Sequence, residues 1–157
     1  MHGLKSGLYD VIIARANMVN SRQYTAYPLR EDELMAILPD SHRLAGRTSL
    51  KLSDIANEDF ILMNPYTSIY HLCIDNLKSC GIKPNIIRTA RVESILSAVS
   101  IGDGISLLAK SNLRVFHHEN IAAIPLNPPI RLPVVIARKK ADPADWAVKN
   151  FIHYFLS

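Results

Sequence analysis

The segment VSIGDGISLLAKS, residues 99–111, places two glycines around an aspartate, which are residue types that a phosphate-binding loop uses. A dinucleotide-binding loop needs a third glycine, and it must follow a strand and open a helix so that the helix N-terminus meets the pyrophosphate. Here a helical pattern precedes GDG, an apolar run follows it, and no lysine stands where a P-loop needs one. The order predicts a helix-to-strand joint, in which Gly102 ends the helix and Gly104 lies where backbone segments pass closely.

The segment NPYTS, residues 64–68, is a stronger candidate for binding. It follows a strand-like apolar run and opens a helical pattern. Free backbone N–H groups at such a helix start, beside the hydroxyls of Thr67 and Ser68, suit an anion and above all a carboxylate. Plain N-capping by the same residues explains the pattern equally well, and the two roles are compatible.

Two further strand ends could line a ligand site. In TARVES, residues 89–94, Val92 or Glu93 could face a cleft, although Glu93 or Ser94 could simply cap the helix that follows. Arg15 comes directly after the apolar run YDVIIA, at the carboxyl end of a predicted strand, where α/β sheets place their ligands. An ordinary surface arginine is the alternative for Arg15.

The sequence offers no catalytic or metal-binding pattern. It has six histidines but no GxSxG, HExxH or Ser-His-Asp spacing. Cys73 and Cys80 lie in one predicted helix, about 10 Å apart along its axis, which is too far for a disulfide. We predict that they are small buried thiols in a reducing compartment. We therefore expect no enzyme, no cofactor and no metal.

Strand-like and helix-like segments alternate along the chain, which predicts the α/β class with parallel sheets. Residues 23–39 read as two extended pieces around a charged turn at residues 30–33. Ser53 is predicted to cap a single helical turn. Gly81 is predicted to end the helix that begins at Thr67 or Ser68.

The C-terminal segment is predicted to form an amphipathic helix. Asp142 would cap it and Pro143 would occupy its first position. Its apolar stripe comprises Val148, Phe151, Ile152 and Phe155.

The composition is that of an ordinary globular protein: 157 residues, 48% hydrophobic and 20% charged. A chain of this size can bury a core without metals or disulfides. The net charge of +4 is scattered, with RKK at residues 138–140 as its one run, which does not predict a nucleic-acid surface. No apolar run approaches the roughly 20 residues of a membrane helix, and the start shows no secretory signal, so we expect a cytoplasmic protein.

An ordered set of segments resembles the effector-binding domain of LysR-type transcriptional regulators over nearly the whole chain. The segments are LKSGLYDVIIA, LREDELMAILPDSHRLAG, SLKLSDIANEDFIL and the helix that leads into IGDGISLLA. The resemblance implies a type-II periplasmic-binding-protein fold, with two α/β lobes joined by two crossover segments and a small inducer in the cleft between the lobes. It implies that residues 1–42 and 126–157 form the first lobe and residues 43–125 the second.

The resemblance also implies which residues contact the effector. In the first lobe they are Ala14 and Arg15; in the second lobe they are Asn64, Tyr66, Thr67, Ser68, Val92 and Glu93. Together with the helix starts, these positions predict a small anionic effector, a carboxylate above all. The family's usual GLGIxxLP stands here as GDGISLLA, with Asp103 for an apolar residue and Ala109 where proline is common.

The family's N-terminal winged helix-turn-helix, its linker helix and the opening strand and helix of the first lobe have no counterpart in this chain. We therefore expect an inducer-sensing and dimerising module that contacts DNA only through a helix-turn-helix absent from this chain. An open edge in the first-lobe sheet predicts a homodimer or higher homo-oligomer. The alternatives are a solute-binding protein of a transporter, against which the missing signal peptide speaks, and an enzyme on the same fold.

Overall fold

A computed structural model describes residues 2–141 and 145–156, which form two compact units. Unit 1 comprises Met1–Asp32 and Leu132–Ser157, and unit 2 comprises Glu33–Arg131. The helices and strands are, in chain order, α1 (His2–Lys5), β1 (Ile12–Arg15), β2 (Tyr24–Pro39), β3 (Asp59–Met63), α2 (Ser68–Ser79), β4 (Asn85–Ala90), α3 (Val92–Ser100), β5 (Ser106–Ala109), α4 (Lys110–Val115), β6 (Ile121–Pro125), β7 (Arg131–Lys139) and α5 (Trp146–Leu156). No helix that the structure describes is long and apolar enough to span a bilayer.

Strand β2 is continuous over 16 residues, so the turn predicted at residues 30–33 is wrong. The charged side chains there are accommodated within the strand because they have partners. Asp32 Oδ2 lies 3.7 Å from Arg15 Nη2, and Glu33 Oε1 lies 2.6 Å from Lys110 Nζ. The boundary between the two units falls inside β2, after Asp32. The lobe boundaries predicted from the sequence, 42/43 and 125/126, lie instead in the polar segments that flank the strands.

In unit 2, three parallel strands end at one edge. β3 pairs in parallel with β4, with Met63 opposite Ala90. β5 is joined to β3 by a parallel bridge between Phe60 and Ile105, and the Ile61 N–H donates to the Ile105 carbonyl at 2.8 Å. β2 pairs antiparallel with both β5 and β6, and β1 pairs antiparallel with β7, so the prediction of parallel sheets is correct only for β3, β4 and β5. Since parallel strands point the same way, the carboxyl ends of β3, β4 and β5 lie at the same edge.

Helix α3 packs its apolar face into the core of unit 2. Its buried residues Val92, Ile95, Leu96 and Val99 follow the spacing of one helix face. They join a cluster with residues from three strands: Met35, Ile37, Ile61 and Leu108. Full burial of an aliphatic side chain stabilises the fold by about 2 kcal/mol, so this cluster fixes α3 against the strands that end beside it.

The glycines of the GDG segment have the roles predicted for them. Gly102 follows α3 with φ +84°, and its N–H donates to the Val99 carbonyl at 2.9 Å. A Cβ at Gly104 would lie 2.7 Å from the Asp59 carbonyl oxygen, which confirms the close backbone approach. Gly81, with φ +73°, ends α2 in the same way as Gly102 ends α3.

Two capping predictions have different outcomes. The turn predicted at Ser53 exists over Leu52–Ile55, but Ser53 lies inside it, and Asp54 Oδ2 instead accepts a hydrogen bond from the Lys51 N–H at 2.8 Å. Asp142 and Pro143 lie outside the described residues. Before α5, Asp145 Oδ1 accepts a hydrogen bond from the Val148 N–H at 2.8 Å.

The apolar stripe of α5 is only partly buried. Ile152 is buried, whereas Phe151 and Phe155 are 38% and 43% exposed. The rings of these two phenylalanines contact each other, with their centroids 4.9 Å apart.

The two cysteines differ, which corrects the prediction that both are buried. Cys73 is buried in α2, and its thiol lies 3.8 Å from the Leu107 carbonyl oxygen. Burial raises the pKa of the Cys73 thiol to about 12, because a thiolate there would lose its hydration. Cys80 is exposed, since α2 ends at Ser79 and Cys80 follows as its C-cap.

Candidate ligand-binding site

The carboxyl edge of unit 2 carries two helix starts side by side. β3 leads through residues 64–67 into α2, and β4 leads through Arg91 into α3. Because Met63 and Ala90 are paired neighbours, the segments that follow them begin next to each other. This edge brings together the sequence-predicted residues of unit 2: Asn64, Tyr66, Thr67, Ser68, Val92 and Glu93.

Thr67 is the N-cap of α2, as one of the two interpretations predicted. Its Oγ1 accepts a hydrogen bond from the Tyr70 N–H at 3.3 Å and donates to the Asn64 carbonyl at 2.7 Å. The Thr67 hydroxyl proton is thus used within the protein. The first-turn N–H groups of Ser68 and Ile69 have no partner inside the helix. The Ser68 hydroxyl makes no hydrogen bond with the residues that the structure describes.

Asn64 and Tyr66 shape the loop before α2. The Asn64 amide Nδ2 donates to the Tyr66 hydroxyl at 3.2 Å. Tyr66 is 78% exposed, so its ring presents an apolar face beside the helix start. An aromatic ring in this position can cover the carbon skeleton of a small ligand.

The start of α3 has no side-chain cap, so the prediction that Glu93 or Ser94 caps this helix is wrong. The helix begins at Val92, whose side chain is buried in the core cluster and leaves only its backbone N–H at the edge. Glu93 is exposed in the first turn. Its carboxylate favours a hydroxyl or ammonium donor, whereas the first turn of α2 contains no acidic residue and favours an anion.

Lys110 and Glu33 form a third polar position at the carboxyl end of β5. Lys110 Nζ lies 2.6 Å from Glu33 Oε1, and Leu34 pairs with Ala109 next to them. The sequence does not reveal this pair, because its members are 77 residues apart. Lys110 directly follows a strand, which is the same signal that singled out Arg15.

In unit 1, the structure places Ala14 and Arg15 at the end of β1, where they pair with Val135 and Val134 of β7. The Arg15 side chain is only 20% exposed, so the alternative interpretation of Arg15 as an ordinary surface arginine is excluded. Its Nη2 lies 3.7 Å from Asp32 Oδ2, and its Nη1 is buried without a hydrogen-bond partner among the described residues. Burial lowers the pKa of Arg15, and the attraction of Asp32 opposes this effect.

Within the described residues, no group of three or more histidine, cysteine, aspartate or glutamate side chains could hold a metal ion. The polar groups at the two sites are helix N–H groups, hydroxyls, carboxylates, Arg15 and Lys110. Groups of these kinds can bind and orient a small polar molecule by hydrogen bonds and charge.

The known proteins to which this chain is similar in sequence include transcriptional regulators. The HTH-type transcriptional regulator CysL of Bacillus subtilis is 29% identical over 110 residues, which cover 69% of this chain and 37% of CysL. The HTH-type transcriptional regulator CatR of Pseudomonas putida is 27% identical over 146 residues, which cover 90% of this chain and 50% of CatR. The chain thus spans half the length of these relatives or less.

Solved structures of regulatory domains share the fold. The effector-binding domain of QuiR in complex with shikimate matches with a TM-score of 0.82 and 24% identity, over 99% of this chain and 74% of that chain. The CcmR regulatory domain of Synechocystis PCC6803 in complex with 2-PG matches with a TM-score of 0.85 and 17% identity, over 99% and 76%. The fold is therefore the type-II periplasmic-binding-protein fold of LysR effector-binding domains, as the resemblance implied. The family model of the LysR substrate binding domain matches residues 1–157, and the chain belongs to this family.

Proposed function

We propose that this chain is the effector-sensing module of a cytoplasmic LysR-type transcriptional regulator and that it binds a small carboxylate without turning it over. Its proposed contacts are those predicted from the sequence, at the carboxyl edge of unit 2 and at the end of β1 in unit 1. DNA binding would belong to a helix-turn-helix outside this chain. The observation that carries the proposal is the pair of helix starts, α2 and α3, at one edge of the parallel strands.

The start of α2 supports the anionic character of the effector. The N–H groups of Ser68 and Ile69 and the Ser68 hydroxyl are donors in one short stretch of chain. The positive end of the helix dipole and the absence of an acidic residue in the first turn favour a negative group there. The N-cap Thr67 keeps the turn in place rather than binding the ligand through its hydroxyl proton.

The start of α3 supports a second functional group on the effector. Glu93 accepts hydrogen bonds, so it favours a hydroxyl or an amino group on the ligand rather than a second carboxylate. Tyr66 would cover the carbon skeleton between the two groups. We therefore propose a hydroxylated or aminated carboxylate of small size. The shikimate in the QuiR structure is such a molecule, and it serves as a probe here.

Replacement of Ser68 by alanine is expected to weaken carboxylate binding about tenfold, the typical cost of losing a hydrogen bond to a charged group. Isothermal titration calorimetry would measure the dissociation constants for a panel of shikimate, lactate, succinate and glutamate. Ser79→Ala is the matched control, since Ser79 lies at the other end of α2 and donates to the Asn76 carbonyl. Absence of binding by every member of the panel, or equal losses in Ser68→Ala and Ser79→Ala, would contradict the proposal.

We also propose that the chain forms a homodimer or higher homo-oligomer through β1. Within the described residues β1 pairs only with β7, so its other side is an open strand edge. Ile13 on β1 is 54% exposed, and further large apolar side chains of unit 1 are exposed as well: Leu8, Tyr9, Met18, Trp146 and Tyr154. Open edges with apolar side chains favour association with another strand.

Replacement of Ile13 by lysine is expected to shift the oligomer towards monomer, because a charge on an edge strand opposes pairing. Light scattering across a range of protein concentrations would measure the mass. The control is Ile101→Lys, which puts the same charge at an exposed position outside the strands. A wild-type protein that is monomeric at every concentration would refute this part of the proposal.

A further inference from the structure

A cavity of about 260 Å³ lies within unit 1, between β2 and α5. Its described lining residues are Tyr27 of β2 and Lys149, Ile152, His153 and Leu156 of α5. The α5 residues follow the i, i+3, i+4, i+7 spacing, so they share one face of the helix. Ile152 is buried and Leu156 is 44% exposed, and these two side chains give the cavity an apolar wall.

The polar side chains of the cavity can donate hydrogen bonds. The Lys149 ammonium group makes no hydrogen bond or ion pair with any residue that the structure describes. The Tyr27 hydroxyl accepts a hydrogen bond from Arg138 Nε at 3.3 Å, which leaves its own proton for another acceptor. His153 is exposed, and its imidazole ring carries at least one N–H donor in either protonation state. These side chains therefore offer several donors to an acceptor in the cavity.

The charges near the cavity favour an anion as that acceptor. Helix α5 contains no acidic residue, and none of the described residues that line the cavity is acidic. Asp145, which directly precedes α5, caps the helix, since its Oδ1 accepts the Val148 N–H at 2.8 Å. Lys149 contributes one positive charge, and Arg138 brings a second through its contact with Tyr27. A bond donated by a charged guanidinium also polarises the Tyr27 hydroxyl and makes it a stronger donor.

The cavity is separate from the proposed effector contacts in unit 1. Tyr27 and Asp32 are five residues apart on the continuous strand β2, so their side chains point to opposite faces of that strand. Asp32 contacts Arg15, whereas Tyr27 lines the cavity with α5. A molecule in this cavity would therefore leave the end of β1 free.

We propose that this cavity is a second ligand site, which binds a small carboxylate that carries an aromatic or branched apolar group. The carboxylate contacts Lys149 and the Tyr27 hydroxyl, and the apolar group packs against Ile152 and Leu156. Drug-sized ligands occupy about 300–1,000 Å³, so this cavity suits a smaller molecule, of about ten non-hydrogen atoms. The site goes beyond the proposed effector function and does not depend on it.

Phenylacetate has this size and chemistry, and it serves as the probe. A titration of the full ¹⁵N-labelled chain, followed by two-dimensional NMR, would measure the dissociation constant and locate the site together. We expect a dissociation constant of about 1 mM or lower, with the largest amide shifts in α5 and around Tyr27. Acetate lacks the apolar group and phenylacetamide lacks the charge, so each is expected to bind about tenfold more weakly.

Two variants test the two halves of the site. Lys149→Gln is expected to weaken phenylacetate binding about tenfold and to leave phenylacetamide binding unchanged, because it removes the charge. Its matched control is Lys5→Gln, which removes an exposed lysine of unit 1 that does not line the cavity. Leu156→Ala is expected to weaken both ligands about threefold. Its control is Phe155→Ala, which truncates a side chain of similar exposure on the same helix.

All four substituted side chains are exposed, so each variant is expected to fold, and its NMR spectrum reports whether it does. Absence of phenylacetate binding, or shifts confined to unit 2, would overturn the proposal. Equal effects of Lys149→Gln and Lys5→Gln would also overturn it, since they would show a general field rather than a contact. If phenylacetate did not bind and Leu156→Ala lowered the mass in light scattering, the cavity would belong to an interface between copies of the chain, and the ligand site would be refuted.

A competition experiment separates this site from the proposed effector site. Saturation with the tightest-binding acid of the panel is expected to leave the dissociation constant of phenylacetate unchanged, whereas direct competition would refute a separate second site. If no acid of the panel binds but phenylacetate shifts the amides of α5, the effector proposal fails and the second site stands.

Discussion

Replacement of Ile61 by alanine is expected to lower the free energy of unfolding by about 3 kcal/mol, which urea denaturation would measure. Ile61 lies in β3 and is completely buried in the core cluster of unit 2, where α3 packs against the strands. Truncation removes three carbon atoms from a site bounded by Met35, Ile95 and Leu108, which belong to three different elements. The cost includes the lost burial and the cavity that this surrounding structure does not fill.

Ile101→Ala provides the matched control. It removes the same atoms from a side chain that is 76% exposed, just after the end of α3. Its effect is expected to stay within about 0.5 kcal/mol of zero, because an exposed side chain loses little on truncation. If both variants lost the same stability, the core would not lie where the structure places it.

Features that depend on neighbours in the sequence could be predicted from it. The cap at Thr67 and the helix ends at Gly81 and Gly102 follow from local backbone requirements, which a few residues specify. The family, and with it the fold, followed from several such segments in a fixed order. The N-termini of α2 and α3 lie at the same edge because β3 and β4, which precede these helices, are parallel. The alternation of strands and helices in the sequence predicts this parallel pairing.

Features that depend on distant residues could not be predicted. The charged residues of β2 read as a turn because the partners of Asp32 and Glu33, Arg15 and Lys110, are remote in the sequence. Likewise, Glu93 is a plausible cap from the sequence alone, but in the structure Val92 packs into the core as the first helical residue, so the helix begins two residues earlier than a cap at Glu93 would place it.

Asp103 in the GDG segment has a partner that the sequence did not reveal. Its Oδ2 accepts a hydrogen bond from Arg88 Nη2 of β4 at 3.1 Å, with both side chains about half exposed. An ion pair in this setting contributes at most about 1 kcal/mol, because water screens it. Asp103 is therefore tolerated at the joint but is not required there. The position in this segment that leaves no room for a side chain is Gly104.

Replacement of Gly104 by alanine is expected to lower the free energy of unfolding by about 2 kcal/mol, which is typical of overpacking against backbone. The new Cβ would lie 2.7 Å from the Asp59 carbonyl oxygen. That oxygen accepts the Ile105 N–H at 2.8 Å, so it cannot move away without weakening the bridge between β3 and β5. Thermal and urea unfolding would both report the loss.

Gly46→Ala makes the same chemical change where the structure tolerates it. No heavy atom lies within 4 Å of the added Cβ, and Gly46 has no positive φ. The alanine restricts the unfolded chain more than the folded one, so stability is expected to stay constant or to rise by up to about 1 kcal/mol. Opposite signs for the two substitutions would show that Gly104 is needed for close approach rather than for flexibility, whereas equal effects would contradict the approach of β3 and β5 at this joint.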